Sequence, residues 1–402
     1  MGYARKVLRW EGFLDGVGDG RRRARIPTQQ IVRSMVVMFL SRLGSLNALS
    51  QTRGSRFWRK WLGSELASAD TCGRVAACME VDGVRRVLGQ VYSRLKRNKG
   101  LRAPWHGMIA GLLDGHETHA SFRQHCPDCL ERKVPTRHGE KTQYYHRMAA
   151  FQLVGEGWSL LVDAEPVKRG EDEVEAAMRL LERVIAAYPR AFDVVIGDSL
   201  YAQGRFFNYV LSKGKHVMAV LKDKRRELWK DLQGLWSQMA PVEVHWRGAT
   251  CQCWDIENLS TWEQVSVPVR VIRSVETRSV RRHISGKVEQ QTTEWVWVTT
   301  LPVSRISTRA GVALGHSRWT LENQGFNEMV NRWYADHVYR HHGTAILVMW
   351  LLAMLCLNVF LAFYRRNLKP AARAAASMLH IARQIAAELY ADICGPPARA
   401  PT

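Results

Sequence analysis

Acidic side chains are scarce in this sequence. Against 58 lysines and arginines stand 37 aspartates and glutamates, a formal net charge of +21 over 402 residues. The basic residues gather in clusters such as "GRRRARIP" (20–27), "RGSRFWRKW" (53–61), "RLKRNKGLR" (94–102) and "KDKRR" (222–226), which suit a polyanionic partner better than a merely solvated surface. Cysteine is thin as well: eight are scattered without a disulfide-like framework, which excludes a disulfide-stapled scaffold and leaves a reducing cytoplasm as the expected compartment. The N-terminal stretch "MGYARKVLRWEGFLDGVGDG" has no apolar run of secretory length. Internal repeats are missing too, which excludes a solenoid, and a 46% hydrophobic composition excludes disorder. Long apolar runs are limited to one, Ala345 to Tyr364, whose only strongly polar residue is Asn358. Its length fits a bilayer span, but its isolation and the embedded asparagine favour a core helix.

Within those bounds the chain changes period several times. Residues 28 to 100 space their apolar side chains at three and four, as helices do, with Thr28 and Asp70 or Thr71 as candidate caps, and this basic helical stretch is expected to end near Pro104. From Met108 short apolar runs take over: "MIAGLLD", then "YYHRMAAFQLVGEGWSLLVDAEPV", split by Gly155 and Gly157 into a hairpin, then "FDVVIGD" and "KHVMAVLK". Between them lie the amphipathic "EDEVEAAMRLLERVIAAYP" and "GRFFNYVLSKG", expected helices. Residues 240 to 300 alternate Val, Trp and Thr and read as β structure. Helical spacing returns in "HSRWTLENQGFNEMVNRWYADHVYRHH" and leads into the apolar run, and the Ala- and Arg-rich remainder reads as a surface helix with a frayed end.

Two aspartates stand out because each ends an apolar strand: Asp114 in "LLDGHE" and Asp198 in "GDSLYAQG". In alternating α/β regions reactive groups collect at the carboxyl ends of strands, although an aspartate there also serves as a plain turn cap. Carboxylates converging without cysteine or histidine suit Mg²⁺ or Mn²⁺. Arg318 and Glu322 are four apart and share a helix face, so Glu322 is the best third ligand and Arg318 the best phosphate contact, with a surface ion pair as the alternative. On a continuous helix Asp336 would lie roughly 21 Å away along the axis, too far to share a metal.

The ordered series "LLDGHE", "CPDCLERKV", "YYHRMAAFQLVG", "GEDEVEAAMRLL", "GDSLYAQGRFF", "GKHVMAVLK" and "RWTLENQGFNEMVNRWYADHVYRHH" resembles the DDE transposases of bacterial insertion sequences, over roughly residues 30 to 366. The resemblance implies an α/β fold with a ribonuclease H-like mixed five-stranded sheet flanked by helices, a β-rich insertion before the glutamate and an α-helical N-terminal domain. The implied division is 1–104, a helical DNA-binding domain; 105–228 and 301–366, the two parts of the ribonuclease H-like core; 229–300, the insertion; and 367–402, a helical tail. It implies that Asp114, Asp198 and Glu322 hold two Mg²⁺ or Mn²⁺ ions. Arg318, Trp319, Asn323 and Lys222 are the expected contacts to double-stranded DNA. The implied activity is cleavage at element ends and joining of the 3′ hydroxyls to target DNA by a homodimer, in the cytoplasm and without a membrane. A catalytically inactive DNA-binding derivative and a metal-dependent nuclease without strand transfer are the alternatives. The sequence departs from the family where a Tyr and a Lys are common, carrying Gly315 and Met329 instead, with Arg332 or His316 as candidate substitutes.

One motif stands apart. "HETHASFRQHCPDC" places Cys126 and Cys129 two residues apart among histidines, and with His119 and His138 they form a candidate structural zinc site; the alternative is a turn with two reduced thiols. His116 is an alternative edge residue of the carboxylate site.

Overall fold

A computed structural model describes residues 2–101, 107–224, 226–282 and 286–395. The expected boundary at residue 104, Arg102 and Arg225 of the basic clusters and the terminus from 396 lie outside them. The sheet grows around β1 (Ala110–Ser121), whose apolar first half is buried. On one side β1 runs antiparallel to β3 (Gly139–Gly155), and β3 antiparallel to β4 (Trp158–Pro166). The β3–β4 turn is Glu156–Gly157, and Gly157 takes the left-handed φ of 70° that such a turn needs. On its other side β1 is parallel to β5 (Val194–Gly197), and β5 to β6 (His216–Val220). Parallel neighbours require crossovers, supplied here by helices α7 (Glu173–Ala187), between β4 and β5, and α8 (Gly204–Ser212), between β5 and β6. Asp172 and Glu175 close a capping box at the start of α7.

The order β4-β3-β1-β5-β6 is compatible with a ribonuclease H-like core, but the sheet does not stop at five strands. It continues through β10 (Val288–Thr299), antiparallel to β6, then β9 (Val269–Arg281), β8 (Ala249–Leu259) and β7 (Val242–Trp246), while β2 (Leu130–Thr136) pairs with the first half of β3. The Val/Trp/Thr-rich segment therefore extends the central sheet, because β6 would otherwise expose an unpaired edge.

The apolar run forms helix α12 (Gly343–Arg366), long and apolar enough to span a membrane, yet Ala345 through Ala362 are buried inside the protein. One side lies against β4; the others are covered by α2 (Thr28–Leu40), α5 (Ala69–Cys78) and α6 (Val81–Arg97). A helix sandwiched in this way is apolar all round for the same reason a membrane span is. Asn358 faces the edge strand β4: its Nδ2 donates to the Leu161 carbonyl (2.6 Å) and its Oδ1 accepts from the Leu161 N–H (3.1 Å). The N-terminal helices are also tied by charge, since Arg85 of α6 donates to Asp163 (3.0 Å) and Glu165 (3.1 Å) of β4.

Local expectations fail in two places. Ser68, not Asp70 or Thr71, caps α5, and Thr28 is the first residue of α2 after Pro27 rather than its cap. The stretch after α10 (Thr308–Ser317) is not one helix: a π-helical segment Leu321–Phe326 is followed by α11 (Asn327–Trp333), which Tyr334 ends at φ 55°. The axial distance expected for Asp336 therefore does not apply.

Candidate active site

Strands β1 and β5 are parallel and in register at Leu112 and Ile196. Two residues beyond these positions come Asp198, immediately after β5 ends, and Asp114, which does not end its strand as expected but lies within β1 opposite Ala150 of β3, so the two carboxylates sit at one level of neighbouring strands. Asp198 also serves as a cap: its Oδ1 accepts from the Leu200 N–H at 2.8 Å, closing the short turn Ser199–Tyr201. Both readings of this aspartate thus hold together, because capping uses one oxygen and immobilises the other.

Arg318 brings in the third carboxylate. Its Nη1 donates to Asp114 Oδ2 at 3.1 Å, and its Nη2 lies 4.0 Å from Glu322 Oε2. Glu322 stands on the π-helical segment, an irregularity that recurs at functional sites, and is about half exposed, whereas Asp114 is largely covered. Burial pushes the Asp114 carboxyl up to about 6, against the guanidinium of Arg318, and the negative charges of Asp198 and Glu173 push the same way. The carboxylates thus gather around Arg318 and raise the cost of one another's charge.

Beneath it lies a layer that the sequence pattern did not reveal. Glu173, buried at the start of α7, accepts from Arg147 Nε (2.5 Å) and from the Tyr201 hydroxyl (2.8 Å). A Cβ on Gly115 would stand 1.9 Å from Glu173 Oε2, and one on Gly197 would stand 2.5 Å from the Tyr201 ring. Each strand aspartate thus has a glycine neighbour because the supporting layer needs that space. The adjacent pairs "DG" at 114–115 and "GD" at 197–198 were the available signal. Tyr201→Phe leaves one oxygen of a buried carboxylate short of a donor, and should lower stability by about 1–3 kcal/mol in a urea titration. An unchanged midpoint would remove this tyrosine from the support.

The other expected site residues are distributed as follows. Trp319 is partly exposed, its ring 5.1 Å from that of Trp295, and Asn323 is exposed on the π-helical segment. Lys222 is exposed just beyond the C-terminal end of β6, the sheet end that carries both aspartates. His316 is buried, stacked on Trp246 (4.1 Å between ring centres), with its Nε2 2.6 Å from Glu276 of β9. Arg332 is held by Glu328 at 2.6 Å. The departures at Gly315 and Met329 have a cause in packing. A Cβ at 315 would meet the Trp297 ring at 2.4 Å, and Met329 is fully buried. His116 sits beside the site, its Nε2 3.3 Å from Asp336 Oδ1, which also accepts from the Thr118 hydroxyl at 2.7 Å. Asp336, expected to be remote, thus anchors the segment after α11 to the strand of Asp114.

Cys126 and Cys129 come together as expected, but with other histidines. Their partners are His146 of β3 and His341, and the four ligand atoms lie within 4.8 Å of one another. His138 is exposed in the β2–β3 turn, and His119 turns its Nε2 toward the His337 carbonyl at 3.4 Å. His138 lies in the turn at the far end of β2 and β3, whereas His146, further along β3, and His341, in the segment before α12, reach the cysteines.

The family model of the transposase DDE domain matches residues 105–359, a span that includes Asp114, Asp198, Arg318 and Glu322. No curated protein matches the chain.

Proposed function

Since this chain belongs to the DDE transposases of insertion sequences, we propose that it cleaves phosphodiester bonds at element ends and joins the freed 3′ hydroxyls to target DNA, with Asp114, Asp198 and Glu322 as the ligands of two Mg²⁺ or Mn²⁺ ions. The observation that carries the reading is the bridge of Arg318 between Asp114 and Glu322, residues some two hundred positions apart, beside Asp198 at the end of the neighbouring strand. The donors fit hard cations: all three are carboxylates, and burial with the neighbouring negative charges makes the Asp114 carboxylate a place where added positive charge is favourable. Bound there, the ions would activate the attacking water or 3′ hydroxyl and neutralise charge on the leaving oxygen.

The protein's own contribution is positioning and charge. Glu173, Arg147 and Tyr201 keep the floor of the site rigid beneath Asp114 and Asp198. Arg318, beside Asp114 and Glu322, is placed to donate to the scissile phosphate, and exposed Glu322 would supply the third carboxylate for the cations. Trp319, Asn323 and Lys222 border the same sheet end and contact the DNA, while the basic N-terminal helices (1–104) and the insertion (229–300) hold the flanking duplex. Residues 105–228 and 301–366 form the catalytic core, with 367–402 a tail. Pairing two ends calls for a homodimer acting on double-stranded DNA in the cytoplasm.

The test is cleavage and strand transfer on DNA carrying the element's own flanking ends, in Mg²⁺, with Asp198→Asn and a control, Asp223→Asn, whose carboxylate lies 3.6 Å from Arg226. Products from wild type and control, and none from Asp198→Asn despite retained DNA binding, are expected. Equal activity in all three would remove Asp198 from the chemistry. Cleavage without joined products would leave a nuclease, and binding without any product an inactive derivative.

A further inference from the structure

We infer that Cys126, Cys129, His146 and His341 form a structural zinc site, which clamps the chain after the Glu322 segment onto β3 and the loop that follows the strand of Asp114. A tetrahedral zinc with bonds of about 2.3 Å to sulfur and about 2.0 Å to nitrogen places its two sulfurs about 3.8 Å apart and each sulfur about 3.5 Å from each nitrogen. The sulfurs here are 3.7 Å apart, too far for a disulfide and right for a shared ion. His146 Nε2 lies 3.4 Å from Cys126 Sγ and 3.3 Å from Cys129 Sγ, and His341 Nε2 lies 3.3 Å from Cys129 Sγ. Both histidines present the same ring nitrogen. Two thiols with two imidazoles select zinc over the hard cations that suit carboxylates.

The surroundings are those of a ligand site. Both cysteines and His146 are buried, and the Cys126 backbone N–H is 3.2 Å from Cys129 Sγ, a donor placed to stabilise a thiolate. Pro127 and Asp128 make the loop between the cysteines short, and Cys129 N–H bonds back to the Cys126 carbonyl at 3.1 Å. Asp128 faces the first turn of α12: a Cβ on Gly343 would stand 2.4 Å from its Oδ2, so the carboxylate of the same loop meets the positive end of the longest helix.

The site joins three parts of the chain. The cysteines lie between β1 and β2, His146 on β3, and His341 in the irregular segment 334–342 that links α11 to α12. Besides the ion, that segment meets the sheet through Asp336 at His116 and Thr118 and through the His337 carbonyl at His119, and Glu322 lies two helical segments upstream. Zinc binding would supply folding free energy at this junction and fix where the π-helical segment begins its return to the core. The clamp's effect on cleavage rests on the transposase reading; the presence of the ion does not.

Metal analysis of the full-length protein, purified without added metal, should find about one zinc per chain in wild type, His138→Ala and His119→Ala, and a several-fold loss in Cys129→Ser and His341→Ala. Cobalt(II) titration of chelator-treated wild type should show thiolate-to-cobalt absorption, which decides the ligand class even if a cysteine variant fails to fold. Limited proteolysis should open new cleavage within 334–342 after chelation and close it on adding zinc. Wild type without zinc and without cobalt–thiolate absorption would overturn the site, and full zinc retention in His341→Ala would overturn the clamp. Stoichiometric zinc in a protein that cuts no DNA would uphold the site while sinking the transposase reading.

Discussion

Asp114→Asn should abolish cleavage, by on the order of 10³-fold or more as expected for a group acting within a unit, and leave the protein without added divalent cation at least as heat-stable as wild type. The two outcomes have one cause. Burial, with Asp198 and Glu173 adding to it, raises the Asp114 carboxyl from its ordinary value of 3.8 to about 6. A carboxyl raised on folding favours the protonated form, so its contribution to stability is best below about 4, declines as pH rises from about 4 to about 6, and is fully unfavourable above that. At pH 7.5 asparagine removes this unfavourable ionisation, and Arg318 keeps Glu322 as a neighbour. Mg²⁺ should therefore raise the melting temperature of wild type more at pH 7.5 than at pH 5, and should not raise that of Asp114→Asn. Thermal denaturation at both pH values, with and without Mg²⁺, reads all of this. A variant melting well below wild type without Mg²⁺ would mean that the Asp114–Arg318 pair outweighs the cost of burial.

The largest loss of stability is expected from a residue outside the site. Asn358→Leu makes α12 more apolar, yet should cost about 3 kcal/mol, because it strands both the N–H and the carbonyl of Leu161 and each buried orphan costs about 1–3 kcal/mol. Strand β4 has a partner strand on one side only, and the asparagine amide acts as a fragment of the missing neighbour. The larger, isosterically reasonable leucine cannot replace those bonds. The urea midpoint should fall with an unchanged slope. An unchanged midpoint would show that the edge strand finds other partners.

Much of this protein was legible in its sequence where neighbours in the chain are also neighbours in space. Short apolar runs marked β1, β5 and β6, the glycines marked the β3–β4 turn, and acidic residues marked the start of α7. The four-residue spacing of Arg318 and Glu322 kept them together even though a π-helical segment replaced the expected helix between them. Local periodicity also identified α12, although only its burial on all sides separated a core helix from a membrane span. Tertiary structure decided whatever depended on which strands lie side by side. The β-rich segment joined the central sheet because β6 offered an open edge, a matter of pairing that alternation alone does not encode. The Glu173–Arg147–Tyr201 layer draws on α7, β3 and the turn after β5, and was marked in the sequence only by two glycines. His119 and His138 were near the cysteines along the chain, but a strand turns alternate side chains to opposite faces and carries the rest away at about 3.3 Å per residue. His146 and His341 were brought in by the register of β3 and the path into α12, and the sequence determined the chemistry of this protein more fully than the partners that chemistry would find.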